Sequence, residues 1–168
     1  MSQQARESGP PGDADRGGQG SFVVEWREGF RTGIAEVDAE HQQLFALVKG
    51  LQLANAKQRL EGLVDYVVTH FTHEEALMER SGYPGLQRHI EMHEHLAMRV
   101  SEFLVGGTAW SEERVQELRT FLNKWLVAHI VTHDLHFGRW YHATGPSTQP
   151  LPLRDAGASL FDRLFGRR

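Results

Sequence analysis

The chain has 168 residues, of which 40% are hydrophobic and 24% charged, with a formal net charge of −4. Such a composition supports a buried core and excludes wholesale disorder, while the acidic balance speaks against nucleic acid as a partner, because nucleic-acid domains carry a basic face. Cysteine is absent, which excludes disulfides, thiolate metal sites, iron–sulfur clusters and a cysteine nucleophile; it also fits a reducing, cytoplasmic setting.

Residues 1–20 are rich in Gly, Pro, Gln and charge and hold no apolar run. They read as a disordered tail and lack the apolar centre of a secretory signal. No run of about 18 apolar residues exists to span a membrane. Folded sequence is expected over residues 21–143, opening with an apolar arm of Phe22, Val23, Val24, Trp26 and Phe30. A first helix is expected over 39–55, capped by Asp38, with His41 in its first turn and Leu44, Phe45, Val48 and Leu51 at helical spacing. A second covers 58–80, with Leu60, Leu63, Val67, Phe71, Leu77 and Met78 as its stripe. Ser81-Gly82-Tyr83-Pro84-Gly85 ends it, since Gly and Pro punctuate helices. A third covers 86–105, with Leu86, Ile90, Leu96, Val100 and Phe103, and stops at Gly106-Gly107. A fourth covers 112–141. Ser111 caps it, Glu112 and Glu113 suit the positive end of its dipole, and Val115, Leu118, Leu122, Trp125, Leu126 and Ile130 supply its stripe. Short connections make neighbours antiparallel, so the expected fold is all-α, an up-down-up-down four-helix bundle with an N-terminal arm and flexible tails. Residues 144–168 read as a Pro/Gly/Ser/Thr linker and a short amphipathic segment, in which Leu160, Phe161, Leu164 and Phe165 accompany Arg163, Arg167 and Arg168. That segment, 159–168, either docks in a protein groove or on an anionic membrane surface or folds back on the bundle.

Ten histidines are the unusual entry in the composition, and imidazole is the commonest protein ligand for transition metals. His70 and Glu74 stand at i and i+4 on the second helix, and His89 and His93 at the same spacing on the third, so each pair shares a helix face. His41 and the pair His129/Asp134 complete a set drawn from all four helices. Every member lies on or beside an apolar stripe and so points inward, where an unpartnered polar group is expensive. In an antiparallel bundle the start of the first helix, the end of the second, the start of the third and the end of the fourth meet at one level. Five imidazoles and two carboxylates exceed the needs of one ion, and a zinc site takes about four ligands. Two ions bridged by both carboxylates use them all. Imidazole suits iron, copper, zinc and nickel alike; carboxylate bridging favours a hard, redox-active pair, and iron is the choice.

One spacing is awkward. Five residues turn an ideal helix by about 140°, which carries Asp134 away from the face of His129. A π-bulge there is expected to bring it round, as such bulges do at functional sites. His73, His95, His133, His136 and His142 fit no place in the pattern and read as solvent-facing or as supports behind the ligands. Asp38 reads as a cap, and Glu75 as solvated or ion-paired. Trp125, Leu126 and Ile130 are candidate pocket walls.

The stretches 33–45 (GIAEVDAEHQQLF), 70–96 (HFTHEEALMERSGYPGLQRHIEMHEHL) and 125–137 (WLVAHIVTHDLHF) resemble the bacterial members of the hemerythrin family. The family's order of a lone His, HxxxE, HxxxH and HxxxxD is met by His41, His70/Glu74, His89/His93 and His129/Asp134, and the likeness covers residues 22–142. The resemblance implies non-haem di-iron oxygen binding. His89, His93 and His129 would hold one iron, His41 and His70 the other. Glu74 and Asp134 would bridge the two beside an oxo or hydroxo group, leaving a vacancy for dioxygen. The repeated Glu-x-x-His motif of carboxylate-rich di-iron oxidases is missing, so reversible binding by a non-enzyme is expected. It would act as carrier, store or local supplier of dioxygen, with an oxygen-consuming enzyme as the protein that segment 159–168 would meet. Oxygen, redox or nitric oxide sensing, and di-iron oxidase or peroxidase activity, are the alternatives.

Overall fold

A computed structural model describes residues 24–106 and 109–145. The expected tail at 1–20, Phe22 and Val23 of the arm, and the linker and amphipathic segment from residue 146 onward lie outside the described residues. Five α-helices account for most of what is described: α1 (Ala35–Lys49), α2 (Ala56–Ser81), α3 (Leu86–Val105), α4 (Glu112–His129) and α5 (Leu135–Thr144). A five-residue π-helical turn, Ile130–Asp134, joins α4 to α5, so the last two helices form one rod. The described residues contain no strand. α1 packs on α2 and α4, and α2 packs on α3, which makes a four-helix bundle.

The helix boundaries follow from local chemistry. α2 stops because Gly82 takes the left-handed conformation at φ 72°. The Tyr83 N–H then closes back on the Met78 carbonyl at 2.9 Å and satisfies an end-of-helix acceptor. α4 starts at Ser111, whose Oγ accepts the Arg114 N–H at 3.2 Å, with Glu112 and Glu113 in the first turn. Both agree with the sequence reading, and α3 has the expected bounds.

The first helix departs from expectation. α1 begins at Ala35, with Ile34 rather than Asp38 in the cap position. His41 consequently lies in the second turn. Asp38 is buried within the first turn and reaches backward, accepting the Thr32 N–H at 2.7 Å, the Thr32 hydroxyl at 2.8 Å and the Gly33 N–H at 3.1 Å. A carboxylate can satisfy amides ahead of a helix from inside its first turn, so a short acid before an apolar stripe does not mark the helix start uniquely. α1 also ends at Lys49, with a 3-10 turn at Leu53–Asn55 before α2. The fourth rod extends to Thr144, broken by the π turn.

The interior is apolar at two levels with a polar layer between them. The larger cluster includes Leu44, Val48, Leu63, Leu96, Leu122 and Leu126, and the smaller one joins Ile34, Val37, Met78 and Phe137. On α1, His41 falls between Val37 and Leu44; on α2, Glu74 falls between Phe71 and Met78. The N-terminal arm covers the side of α1: Phe30 stacks on Phe45 with centroids 5.6 Å apart, and Trp26 lies edge-on to both.

The arm also crosses α5 at Gly138, where a Cβ would collide with the Thr32 carbonyl oxygen. The Gly138→Ala variant is therefore expected to lose stability, by roughly 1–3 kcal/mol from overpacking despite alanine's better helix propensity. Urea unfolding followed by circular dichroism measures it.

Candidate metal centre

All seven residues singled out in the sequence meet in the polar layer. His41, Glu74, His93 and Asp134 have no exposure, and His70, His89 and His129 are buried to within a few per cent. The ring nitrogens converge: His93 Nε2 lies 3.0 Å from His129 Nε2, which lies 3.2 Å from His89 Nε2. Glu74 Oε2 is 3.1 Å from His89 Nε2, 3.6 Å from His93 Nε2 and 4.0 Å from His70 Nε2. Asp134 Oδ1 is 3.1 Å from His129 Nε2 and 3.5 Å from His89 Nε2, and its Oδ2 is 3.2 Å from His41 Nε2. Two donor groups result: Glu74, His89, His93 and His129 form one, and His41, Glu74 and Asp134 the other. Glu74 belongs to both. His70 stands beside the second, its ring 4.9 Å from that of His41.

This donor set fits cations. Three imidazole nitrogens facing one another cannot all be satisfied by shared protons. Around an ion about 2.1 Å away, donors at right angles lie about 3.0 Å apart and tetrahedral donors about 3.4 Å. The observed 3.0 and 3.2 Å fall within the span of these two arrangements. His41 Nδ1 and Nε2, Glu74 Oε1, His129 Nδ1 and both Asp134 oxygens are buried without a hydrogen-bond partner among the described residues, and such groups are rare in native proteins. His41 Nε2 and the Asp134 oxygens sit within ion-pair range of other members of the cluster, in geometry unsuited to a hydrogen bond.

The π turn is what brings Asp134 in. It begins directly after His129 and includes Asp134 as its last residue. The extra residue per turn realigns the carboxylate with the imidazole, as the spacing predicted.

Two partners were not read from the sequence as supports. Glu75 is half-buried, and its Oε1 accepts from His93 Nδ1 at 2.8 Å. Glu40 accepts from His70 Nδ1 at 2.7 Å through one oxygen and from the exposed His73 Nδ1 at 2.8 Å through the other. Each carboxylate fixes the tautomer of its imidazole and leaves Nε2 free to face the layer. Glu40 precedes His41 and Glu75 follows Glu74, so adjacency to a ligand was the only sequence signal, and it does not tell which imidazole is reached. Of the remaining histidines, His136 Nδ1 pairs with the Tyr83 hydroxyl at 2.8 Å. His142 packs over Gly33, His95 is exposed, and the His133 ring lies 5.4 Å from that of His129.

Apolar groups close the layer. Phe71 stacks on His93 with centroids 3.5 Å apart, and Trp125 on His129 at 4.4 Å. Leu126 and Ile130 are buried, as expected of pocket walls. A small cavity of about 20 Å³, lined entirely by apolar side chains, adjoins Phe71, Trp125 and Leu126.

Electrostatics separates the two carboxylates. Burial and the neighbouring Asp134 push the Glu74 carboxyl up to about 7. Burial also opposes ionisation of Asp134, but the His129 and His41 imidazoles outweigh it and hold that carboxyl well below its usual range. Burial and the adjacent imidazoles of His89 and His129 keep His93 neutral, well below the ordinary histidine range. Burial opposes protonation of His41, but Asp134, Glu74 and Asp38 outweigh it and raise that imidazole, so the layer pairs an acid that ionises readily with one that holds its proton toward neutrality.

A buried layer of imidazoles and two carboxylates inside a four-helix bundle defines a metal-binding bundle. The family model for the hemerythrin HHE cation-binding domain matches residues 32–141, and the chain belongs to the hemerythrin family. It is 33% identical over 119 residues to a bacteriohemerythrin of Stenotrophomonas maltophilia, covering 67% of this chain and 77% of that one. It is 30% identical over 112 residues to hemerythrin subunit alpha of Lingula anatina, covering 67% and 90%. A solved wild-type hemerythrin structure superposes with a TM-score of 0.61 at 26% identity, covering 70% of this chain and 96% of that one.

The raised Glu74 carboxyl has a consequence for the metal-free chain. Folded Glu74 keeps its proton to about 7, whereas the unfolded carboxyl loses it near 4.5. Stability from this group is therefore present in acid and lost as pH rises through that interval. Relative to Glu74→Gln, which stays neutral, the metal-free wild type is expected to lose melting temperature between pH 5 and pH 8. Thermal scans of both proteins across that range measure the difference.

Proposed function

We propose that the chain binds dioxygen reversibly at a carboxylate-bridged pair of iron ions. The observation that carries this reading is the fusion of two donor groups through Glu74, with all seven family positions buried at one level. His89, His93 and His129 would be the nitrogen ligands of one position and His41 and His70 those of the other, with Glu74 and Asp134 shared between them. The second position would have one protein ligand fewer, leaving room for dioxygen. A ferrous pair held there would supply two electrons to dioxygen and take them back on release.

The chain's own groups do the rest. Glu40 and Glu75 hold two ligand rings at their Nδ1–H, which also raises the basicity of those ligands. Glu74 gives up its proton when cations arrive. Phe71, Trp125, Leu126 and Ile130 exclude water from the layer. The small apolar cavity beside Phe71 and Trp125 suits an apolar diatomic better than water, because dry cavities are those without polar lining. Imidazoles outnumber carboxylates, which favours binding over oxidation, and the chain acts as a binding protein: a carrier, store or local supplier of dioxygen.

Anaerobic reconstitution with ferrous iron is expected to load two irons per chain. Admission of oxygen then produces a visible charge-transfer spectrum that disappears on deoxygenation. His129→Ala and Glu74→Ala should each abolish that spectrum. A wild-type chain that holds a single iron, or that oxidises once without recovering, sinks the reading.

A further inference from the structure

We infer that Trp125 is a positioning residue. Its indole plane, stacked on His129, sets the orientation of that imidazole, as Glu75 does for His93 and Glu40 for His70. The inference rests on the metal reading above and adds a residue whose role there was only to exclude water.

The last side-chain torsion of histidine is broad and poorly restrained on its own, so a buried ring needs a neighbour to fix its plane. For His70 and His93 a carboxylate accepts from Nδ1. His129 has no such partner: its Nδ1 is buried and has no hydrogen bond among the described residues. What meets the ring is Trp125, one turn earlier on the same helix. The two planes are 13° from parallel with centroids 4.4 Å apart. Trp125 is held in turn by Phe71 at 6.1 Å, and Phe71 stacks on His93 within 4° of parallel. Two ligands of the three-histidine position are thereby tied through a run of rings, His93–Phe71–Trp125–His129. His93 has both a stack and a hydrogen bond at Nδ1, whereas His129, whose Nε2 edge faces His93, His89 and Asp134, has the Trp125 stack and no hydrogen bond at Nδ1 among the described residues. A flat group at 125 is thus required, and its bulk alone is not enough.

The test compares wild type, Trp125→Phe and Trp125→Leu by calorimetric titration with Co²⁺ and by melting of the metal-free proteins. Wild type is expected to take up two Co²⁺. Leucine fills space without a plane, and one of the two uptake steps should weaken by about tenfold or more, the scale on which groups supporting a ligand act. Phenylalanine keeps a plane and should stay within about threefold of wild type, although both variants lose bulk and melt lower than wild type by similar amounts. If Trp125→Leu does not fold, Trp125→Met takes its place. Equal affinity in the leucine variant and wild type overturns the inference. So does equal weakening in the phenylalanine and leucine variants, or a weakening of both steps that merely follows melting temperature. A wild-type chain that takes up fewer than two Co²⁺ overturns the metal reading itself.

Discussion

The structure depends on burying a layer of polar groups across the middle of an apolar bundle. Six side-chain atoms in that layer have no hydrogen-bond partner among the described residues. Each such group left unmet costs roughly 1–3 kcal/mol, a large fraction of the stability of an ordinary domain. That burden is tolerable because apolar clusters press on it from both sides: Leu44, Phe71, Leu96 and Leu126 on one, Val37, Met78 and Phe137 on the other. The same apolar closure makes the nitrogens and carboxylates effective ligands, since it removes the water that would otherwise occupy them.

The helices position these ligands by different means. On α2 and α3 the four-residue spacing is sufficient, and regular helix carries His70 with Glu74 and His89 with His93. On the fourth rod regular helix would misplace Asp134, so the backbone shifts to a π turn between Ile130 and Asp134. α1 contributes one imidazole and then a second, indirect service through Glu40. It pairs with a ligand on α2 and couples it to a surface histidine. Asp38 fixes where α1 enters by collecting donors from Thr32 and Gly33, which draws the N-terminal arm across the side of the bundle nearest His41.

Most of the architecture was legible before any coordinates. Four stripes of period near 3.6, separated by Gly and Pro signals, define four rods, and short connections leave little choice of topology. The misreadings were at ends. Asp38 has the chemistry of a cap and satisfies amides before the helix, yet it does so from within the first turn. The residues from Gly50 to Asn55 have side chains compatible with helix, and a 3-10 turn occupies half of them. Local composition does not choose between these outcomes, because the deciding hydrogen bonds join residues whose relative placement is tertiary.

The seven donors could be found from the sequence because helical geometry converts spacing into shared faces, and antiparallel packing converts position along each helix into a common level. Even the π turn was foreseeable, since five residues overshoot a helix face by a fixed angle. The supports behind the donors were not foreseeable. Glu40 reaches α2 and Glu75 reaches α3, and Trp125 lies flat on His129 rather than edge-on. These depend on the distance and rotation between neighbouring helices. Period and spacing along one chain segment set what a helix presents; only packing against the next helix decides which side chain receives it.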